Sequence, residues 1–161
     1  MTHKPGKQIV AEFFAAVGRG DLEAVMGFFT DDSVYTVVGD PTGTPPLDAE
    51  SKKAIPWLGR YHGPEGAKQF IGHLKNNIEV IGFGPQEIVD GGEKIAVFGS
   101  FSYRAVSTGR QFDSDYAIRI VLKDGKFAEY WFYENTYAVA AAFRTSGCWT
   151  QAFGETEQTV P

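Results

Sequence analysis

Apolar residues recur at helical spacing near the start of the chain and alternate with polar residues further on. The spacing predicts a first helix over residues 7–17 and a second over 22–29. A β-branched run predicts a strand over 34–38, a third helix is expected to open at Pro64, and a last one to cover 136–144. Alternating segments predict three or four further strands, at about 78–90, 94–107, 111–123 and 126–135. Helices that precede a run of strands predict an α+β domain.

Two segments between these elements carry turn and loop signals. Residues 30–33 read as a turn, and residues 39–63 are rich in Pro, Gly and Thr and read as one long loop. A loop of this length is usually a lid or part of a binding site. Trp57 lies in it and either closes over an apolar ligand or anchors the loop to its own domain.

The last two strands form a hairpin whose turn predicts a register. The Asp-Gly pair at 124–125 is a strong signal for a two-residue turn and pairs Lys123 with Lys126. Counting back without interruption sets Asp115 directly opposite Glu134 on one face. Both faces of the hairpin are largely apolar, so the pattern predicts that both are covered.

The two carboxyls admit two interpretations. If their face lines a cavity, ionising both carboxyls in a poorly solvated space has a large free-energy cost. One of the two then holds a proton near neutral pH, as an acid/base site requires. If they lie at the open end of the hairpin, Asp115 and Glu134 extend into water and have no chemical role. Arg119 shares the face, where it either binds a carboxylate or a polar ligand group or forms a structural ion pair.

Composition narrows the class of protein. The 161 residues fit a flexible N-terminus at 1–6, one domain over 7–144 and a tail over 145–161 without a clear period. A net charge of −5 without a Lys/Arg cluster argues against nucleic acid or an anionic membrane as partner. With no segment long and apolar enough to span a bilayer, we expect a cytoplasmic protein. The lone Cys148 is interpreted as a small packed residue rather than a nucleophile.

Motifs for cofactors and metals are missing from the sequence. His62 and His73 lack the spacing and the acidic or cysteine neighbours of a metal site. Residues 82–85 supply only half of a dinucleotide fingerprint, and Pro85 contradicts the rest. We therefore expect neither a metal nor a cofactor, and any chemistry would be acid/base work on a small, mostly apolar molecule.

Several short stretches, taken in order, resemble a known family. They cover residues 10–24, 29–34, 61–70, 108–112 and 124–136. Together they resemble the NTF2-like superfamily, in its SnoaL-like branch that is related to ketosteroid isomerases. The resemblance implies a cone in which a curved, mixed and mostly antiparallel sheet wraps around N-terminal helices and encloses a pocket.

The catalytic residues of two relatives do not carry over to this chain. The general-base Asp of ketosteroid isomerases falls on Val37, their oxyanion Tyr on Phe13 and their protonated Asp on or near Ala117. The Arg-x-Asp and last-strand Asp of limonene epoxide hydrolases fall on Gly99, Phe101 and Phe132. Neither of these two mechanisms is expected here.

The resemblance also implies which side chains face the pocket. It directs Asp115, Glu134 and Arg119 inward as candidate catalytic residues. The candidate ligand-binding residues are Phe13, Val17, Tyr35, Val37, Trp57, Phe101, Tyr103, Ala117, Tyr130 and Phe132. Ile118, Trp131 and Tyr133 would lie on an outer face that pairs two copies into a homodimer.

The implied function is a pocket protein for a small hydrophobic carbonyl or polycyclic molecule. Such a protein could be a cofactor-free isomerase, cyclase or dehydratase. The alternative is a binding or dimerisation module without catalysis, because this fold serves many functions.

Overall fold

The structure, a computed structural model, describes residues 4–38 and 49–160. Its elements are α1 (Gly6–Gly18), α2 (Leu22–Gly27), β1 (Phe29–Val37), α3 (Ala49–Ala54), β2 (Gly59–His62), α4 (Gly63–Asn77), β3 (Ile78–Gly91), β4 (Lys94–Ala105), β5 (Gln111–Lys123), β6 (Lys126–Glu134), α5 (Thr136–Phe143), β7 (Trp149–Phe153) and β8 (Thr156–Val160).

Six of the strands form one curved sheet in the order β2-β1-β6-β5-β4-β3. Neighbouring strands are antiparallel except for β1 and β6, which run parallel. Helix α2 contacts both α1 and α4, and all three helices contact the sheet, so together they cover its inner face. This arrangement confirms the α+β cone that the sequence analysis predicts.

The helices begin and end where the sequence signals place them. In α1, Ile9, Val10 and Phe13 recur on one face and are buried. The chain leaves α1 through Gly20, whose φ of +68° is a backbone conformation that favours glycine. Asp21 then caps α2, since its carboxylate accepts a hydrogen bond of 3.1 Å from the backbone N–H of Ala24.

Three predicted irregular segments contain regular structure. Residues 30–33, predicted as a turn, belong to β1, where the pairing with β6 shifts register. The predicted loop over 39–63 contains α3 and β2, and β2 extends the sheet by pairing with β1. Residues 39–48 of that loop lie outside the described residues. The tail over 145–161 forms a second, two-stranded sheet from β7 and β8.

The β5–β6 hairpin departs from the predicted register after two residue pairs. Lys123 pairs with Lys126 and Leu122 with Phe127, as predicted, but the next pair joins Val121 to Glu129. One extra residue in β6 forms a β-bulge at this point. The bulge turns the side chains of both Phe127 and Tyr130 into the core, although they are three residues apart.

From Val121 back to Tyr116, each residue of β5 pairs with the residue of β6 one position further along the chain than predicted. The side chains of β5 therefore point to the opposite face of the sheet from the predicted one. Glu134 therefore lies opposite Tyr116, not Asp115. The predicted inward orientation of Asp115, Ala117 and Arg119 is wrong, because these side chains alternate with the buried residues of β5. Ile118, predicted to face outward, is 1% exposed inside.

On the outer face Arg119 forms a local cluster that explains its position there. Its guanidinium donates a hydrogen bond of 2.8 Å to the carboxylate of Glu129. The same group stacks over the ring of Trp131, 4.1 Å from its centroid. Arg119 is thus a structural residue of the outer face and does not contact the interior.

Helix α5 is held against the end of the sheet through its C-terminal carbonyls. Arg110, in the turn after β4, donates hydrogen bonds of 3.2 Å to the Ala141 carbonyl and 2.8 Å to the Arg144 carbonyl. Thr108 donates one of 2.7 Å to the carbonyl of Ala142. These contacts satisfy groups that a helix end leaves unpaired.

We predict that Arg110→Ala lowers the free energy of unfolding by about 1 kcal/mol, because charge-assisted hydrogen bonds to the α5 carbonyls are lost. Urea denaturation followed by circular dichroism measures the change. Arg19→Ala is the matched control, because Arg19 is an exposed arginine at the end of α1. Equal effects of the two substitutions would show that Arg110 does not hold α5.

Candidate active site

A cavity of about 420 Å³ lies between the inner face of the sheet and helices α1, α2 and α4. Its walls are mainly aromatic and aliphatic, as is typical of small-molecule sites. Nine of the predicted site residues line it: Phe13, Val17, Tyr35, Val37, Trp57, Tyr103, Tyr130, Phe132 and Glu134. Three of the remaining predicted residues, Asp115, Ala117 and Arg119, lie on the other face of the sheet.

Glu134 supplies the acidic group of this cavity. It is the last residue of β6, and one of its carboxyl oxygens, Oε1, is buried without a hydrogen-bond partner among the described residues. Burial raises the pKa of Glu134 to about 7, because the charged carboxylate loses hydration that nothing replaces. A carboxyl in this state exchanges a proton near neutral pH.

Tyrosine hydroxyls provide neutral hydrogen-bond donors in the same cavity. The rings of Tyr35 and Tyr130 stack with centroids 4.5 Å apart, and their hydroxyls share a hydrogen bond. Burial raises the pKa of each well above the ordinary value. Burial, and to a lesser extent the charge of Glu134, also raises the pKa of Tyr103. All three hydroxyls therefore stay protonated near neutral pH.

Tyr116 flanks Glu134 and is a residue that the sequence analysis missed. It pairs with Glu134 across the strands, and its ring stacks between Phe83 and Phe132 at centroid distances of 5.1 and 5.4 Å. Its hydroxyl is buried and has no hydrogen-bond partner in the described part of the chain. Gly99 makes room for it, since a Cβ at position 99 would collide with the Tyr116 hydroxyl.

Phe101 and Trp57 differ in how they contribute to the walls. Phe101 does not line the cavity but stacks behind Tyr103, 4.1 Å between centroids, and so supports it. Trp57 is 4% exposed, lines the cavity and packs edge-on against Phe143 of α5. Trp57 therefore both anchors its segment and forms part of the wall.

Helix α4 and strand β3 contribute a side of the cavity that the sequence analysis did not assign. The additional lining residues there include Phe70, Ile71, Leu74, Lys75 and Phe83. The helical spacing of Phe70, Ile71 and Leu74 is the signal that could have indicated these three residues of α4.

The described part of the chain contains neither a metal-binding cluster nor a membrane-spanning helix. Among residues 4–38 and 49–160, no three His, Cys, Asp or Glu side chains are grouped so that they could hold a metal ion. In the same residues, no helix combines the length and apolar character that crossing a membrane requires.

The curved sheet, the helices on its inner face and the pocket between them define an NTF2-like fold. The chain belongs to the family of SnoaL-like domains, whose model matches residues 10–130. An NTF2-like protein from Burkholderia xenovorans has a similar structure, with 26% sequence identity and a TM-score of 0.72. That similarity covers 89% of this chain and 100% of the Burkholderia protein.

Two more distant structures share the fold alone. A protein from Mesorhizobium loti, provisionally named a SnoaL-like polyketide cyclase, is 21% identical over 79% of this chain and 97% of its own, with a TM-score of 0.59. A protein from Bacillus subtilis, provisionally named an isomerase, is 17% identical over 86% of this chain and 91% of its own, with a TM-score of 0.65. No curated protein was found to match the chain.

Proposed function

We propose that the cavity is the active site of a cofactor-free acid/base enzyme that acts on a small apolar carbonyl compound. The observation that carries this proposal is Glu134, a carboxyl with a buried, unpaired oxygen and a pKa of about 7 inside an apolar cavity. A group whose pKa lies near the working pH is suited to both accepting and donating a proton. The SnoaL-like family is consistent with such chemistry, since one structural relative is provisionally named a cyclase and another an isomerase.

The proposed reaction begins with proton transfer to Glu134. The ionised carboxylate takes a proton from a carbon next to the substrate carbonyl, and the electrons of the broken C–H bond move onto the carbonyl oxygen as an enolate. Tyr103, or the hydrogen-bonded pair Tyr35 and Tyr130, donates a hydrogen bond to that oxygen. Glu134 then returns the proton to a different carbon, which isomerises the substrate, or to a leaving hydroxyl, which dehydrates it.

The walls of the cavity favour a substrate with fused or aromatic rings. Aromatic side chains, including Phe13, Phe70 and Phe132, line the space and offer ring faces and edges for stacking. The volume of about 420 Å³ falls at the small end of the range for ligand pockets. A compact ring system with one carbonyl therefore fits this site better than an extended polar molecule.

The outer face of the sheet supports a further proposal, a homodimer. Phe98 and Tyr133 are 44% and 41% exposed there and are both neighbours of Ala117 across the strands. Exposed apolar side chains that are grouped on one sheet face commonly mark an interface. The same face carries Trp131, so pairing two copies through it would cover aromatic surface.

Hydrogen exchange at an activated carbon tests the proposed reaction. We would incubate the protein with 2-tetralone, an enolisable bicyclic ketone, in D₂O and follow loss of the α-proton signals by NMR. Exchange is expected to accelerate as the pH rises and to level off above about pH 7, because the base must be ionised. Glu134→Gln is expected to lower the rate by about 10²–10⁴-fold, the usual contribution of a general base.

Asp115→Asn is the matched control for this experiment. It removes the carboxyl that the sequence alone paired with Glu134 but that lies exposed on the outer face. We expect it to leave the exchange rate unchanged. Binding of the ketone without Glu134-dependent exchange would overturn the enzyme proposal in favour of a binding protein.

A further inference from the structure

The described residues that line the cavity include two charged side chains of opposite sign, Glu134 and Lys75. Glu134 is partly buried and one of its carboxyl oxygens is shielded from solvent, whereas Lys75 is exposed in the last turn of α4. Next to Lys75, the apolar side chains of Ile71 and Leu74 also line the cavity. The positive charge therefore lies where the apolar cavity meets solvent.

Lys75 forms no ion pair with any residue in the described ranges. The carboxylate four positions further on, Glu79, instead accepts a hydrogen bond of 2.9 Å from Arg104. The other lysine of α4, Lys68, lies 3.8 Å from Glu65. Lys75 thus differs from its counterpart on the same helix, because no carboxylate among residues 4–38 and 49–160 pairs with its ammonium group.

We infer that the natural ligand is an apolar molecule that carries an anionic group, and that Lys75 binds this group at the mouth of the cavity, where the cavity meets solvent. This inference rests on the proposed function, because it assigns the substrate class of the same cavity. An anion at the mouth keeps most of its hydration and gains an opposite charge, so its binding costs little desolvation. The same anion further inside would lose its hydration and face the carboxylate of Glu134.

The arrangement fixes the orientation of the ligand. With its anionic group at Lys75, the apolar body enters the cavity first and the reacting carbon is directed towards Glu134. Lys75 is then a positioning residue, because it touches the end of the substrate that does not react. The competing explanation is that Lys75 only complements the negative end of the α4 dipole.

A pair of probes that differ in charge but not in shape separates these explanations. We would measure the affinities of 1-naphthaleneacetate and 1-naphthaleneacetamide by isothermal titration calorimetry, with quenching of tryptophan fluorescence as a second readout. The wild type is expected to prefer the acetate. Lys75→Gln is expected to weaken acetate binding roughly threefold to fivefold, the scale of an exposed ion pair, and to leave acetamide binding unchanged.

Two controls make the result specific. Lys75→Arg should retain the preference for the acetate because it keeps the charge, and raising the salt concentration should reduce the preference in the wild type. Lys68→Gln removes a lysine of the same helix that does not line the cavity, and it should change neither affinity.

Equal binding of the two probes to the wild type, or an equal loss for both in Lys75→Gln, would overturn the inference. Glu134-dependent exchange of neutral 2-tetralone does not require Lys75. If that exchange is present while the preference for the acetate is absent, the inference alone fails. If neither probe binds and no exchange occurs, the proposed function fails with it.

Discussion

Replacing Glu134 with glutamine is expected to remove a pH dependence of roughly 2–3 kcal/mol from the free energy of unfolding between pH 5 and pH 8. In the folded protein the pKa of Glu134 is about 7, whereas its ordinary value is 4.5. Between these values the folded state keeps a proton that the unfolded state has lost. The contribution of Glu134 is therefore fully present below pH 4.5 and is lost as the pH rises through 7.

The measurement is urea denaturation of the wild type and Glu134→Gln at several pH values from 5 to 8. Glutamine has the shape of a protonated glutamate, so the two proteins should be similarly stable at pH 5. At pH 8 the variant should be the more stable one, because the wild type must bury a charge. Asp115→Asn, which removes an exposed carboxyl of the outer face, is the matched control.

A difference between wild type and Glu134→Gln that does not change with pH would contradict the desolvated state of the carboxyl. The proposed base would then be ionised throughout the neutral range, and Glu134 would not exchange a proton near pH 7. This test needs no substrate, which separates the electrostatic argument from the choice of ketone.

The stability cost is itself an argument for function. At neutral pH and above, an apolar residue at position 134 would avoid the desolvation of a carboxylate. A protein that keeps a destabilising group in a cavity of about 420 Å³ commonly uses it for binding or catalysis. Arg119, which the sequence analysis placed beside Glu134, bonds instead to Glu129 on the other face.

The helices and most strands could be predicted from the sequence because their signals are local. The apolar spacing around Phe13 and the cap at Asp21 depend on residues within one or two turns. The same holds for the four long strands, whose alternation the structure reproduces to within a few residues. The sequence of strand β2 shows no such alternation, and β2 forms because its backbone pairs with that of β1.

The register of β5 against β6 could not be predicted from the turn alone. The turn determines the pairing of its nearest residues, but the bulge beyond Phe127 is selected by which side chains fill the core. Phe127 and Tyr130 both pack against Phe13, at centroid distances of 4.9 and 5.8 Å. Burial of both rings requires the extra residue, and this is a property of the assembled core.

The faces of the candidate site residues were therefore predicted correctly for Tyr130, Phe132 and Glu134 of β6 and wrongly for those of β5. Glu134 lies in the cavity because β6 resumes its alternation after the bulge. Asp115 lies outside because β5 has no bulge to compensate. Lys75 and Phe83 were not predicted, since α4 and β3 meet the cavity only through tertiary packing.

Aspartate substitutions at two adjacent residues of β5 test the register directly. Ile118→Asp is expected to lower the free energy of unfolding by more than about 4 kcal/mol, because it places a carboxylate among apolar side chains. The side chain of Ile118 lies between Val97 and Phe132, its neighbours across the strands, and is 1% exposed. Ala117→Asp, on the half-exposed outer face, is expected to cost about 1 kcal/mol or less when the protein is dilute enough for the proposed dimer to be dissociated.

The milder pair Ile118→Ala and Ala117→Ser covers the case in which Ile118→Asp does not fold at all. Truncation of a buried isoleucine should cost about 2–5 kcal/mol, whereas the outer substitution should be nearly neutral. Urea denaturation of all four variants gives the comparison. An uninterrupted register would exchange the two positions, so that residue 117 would be the sensitive one and Asp115 would return to the cavity beside Glu134. The order of the two effects therefore decides whether the site has one carboxyl or two.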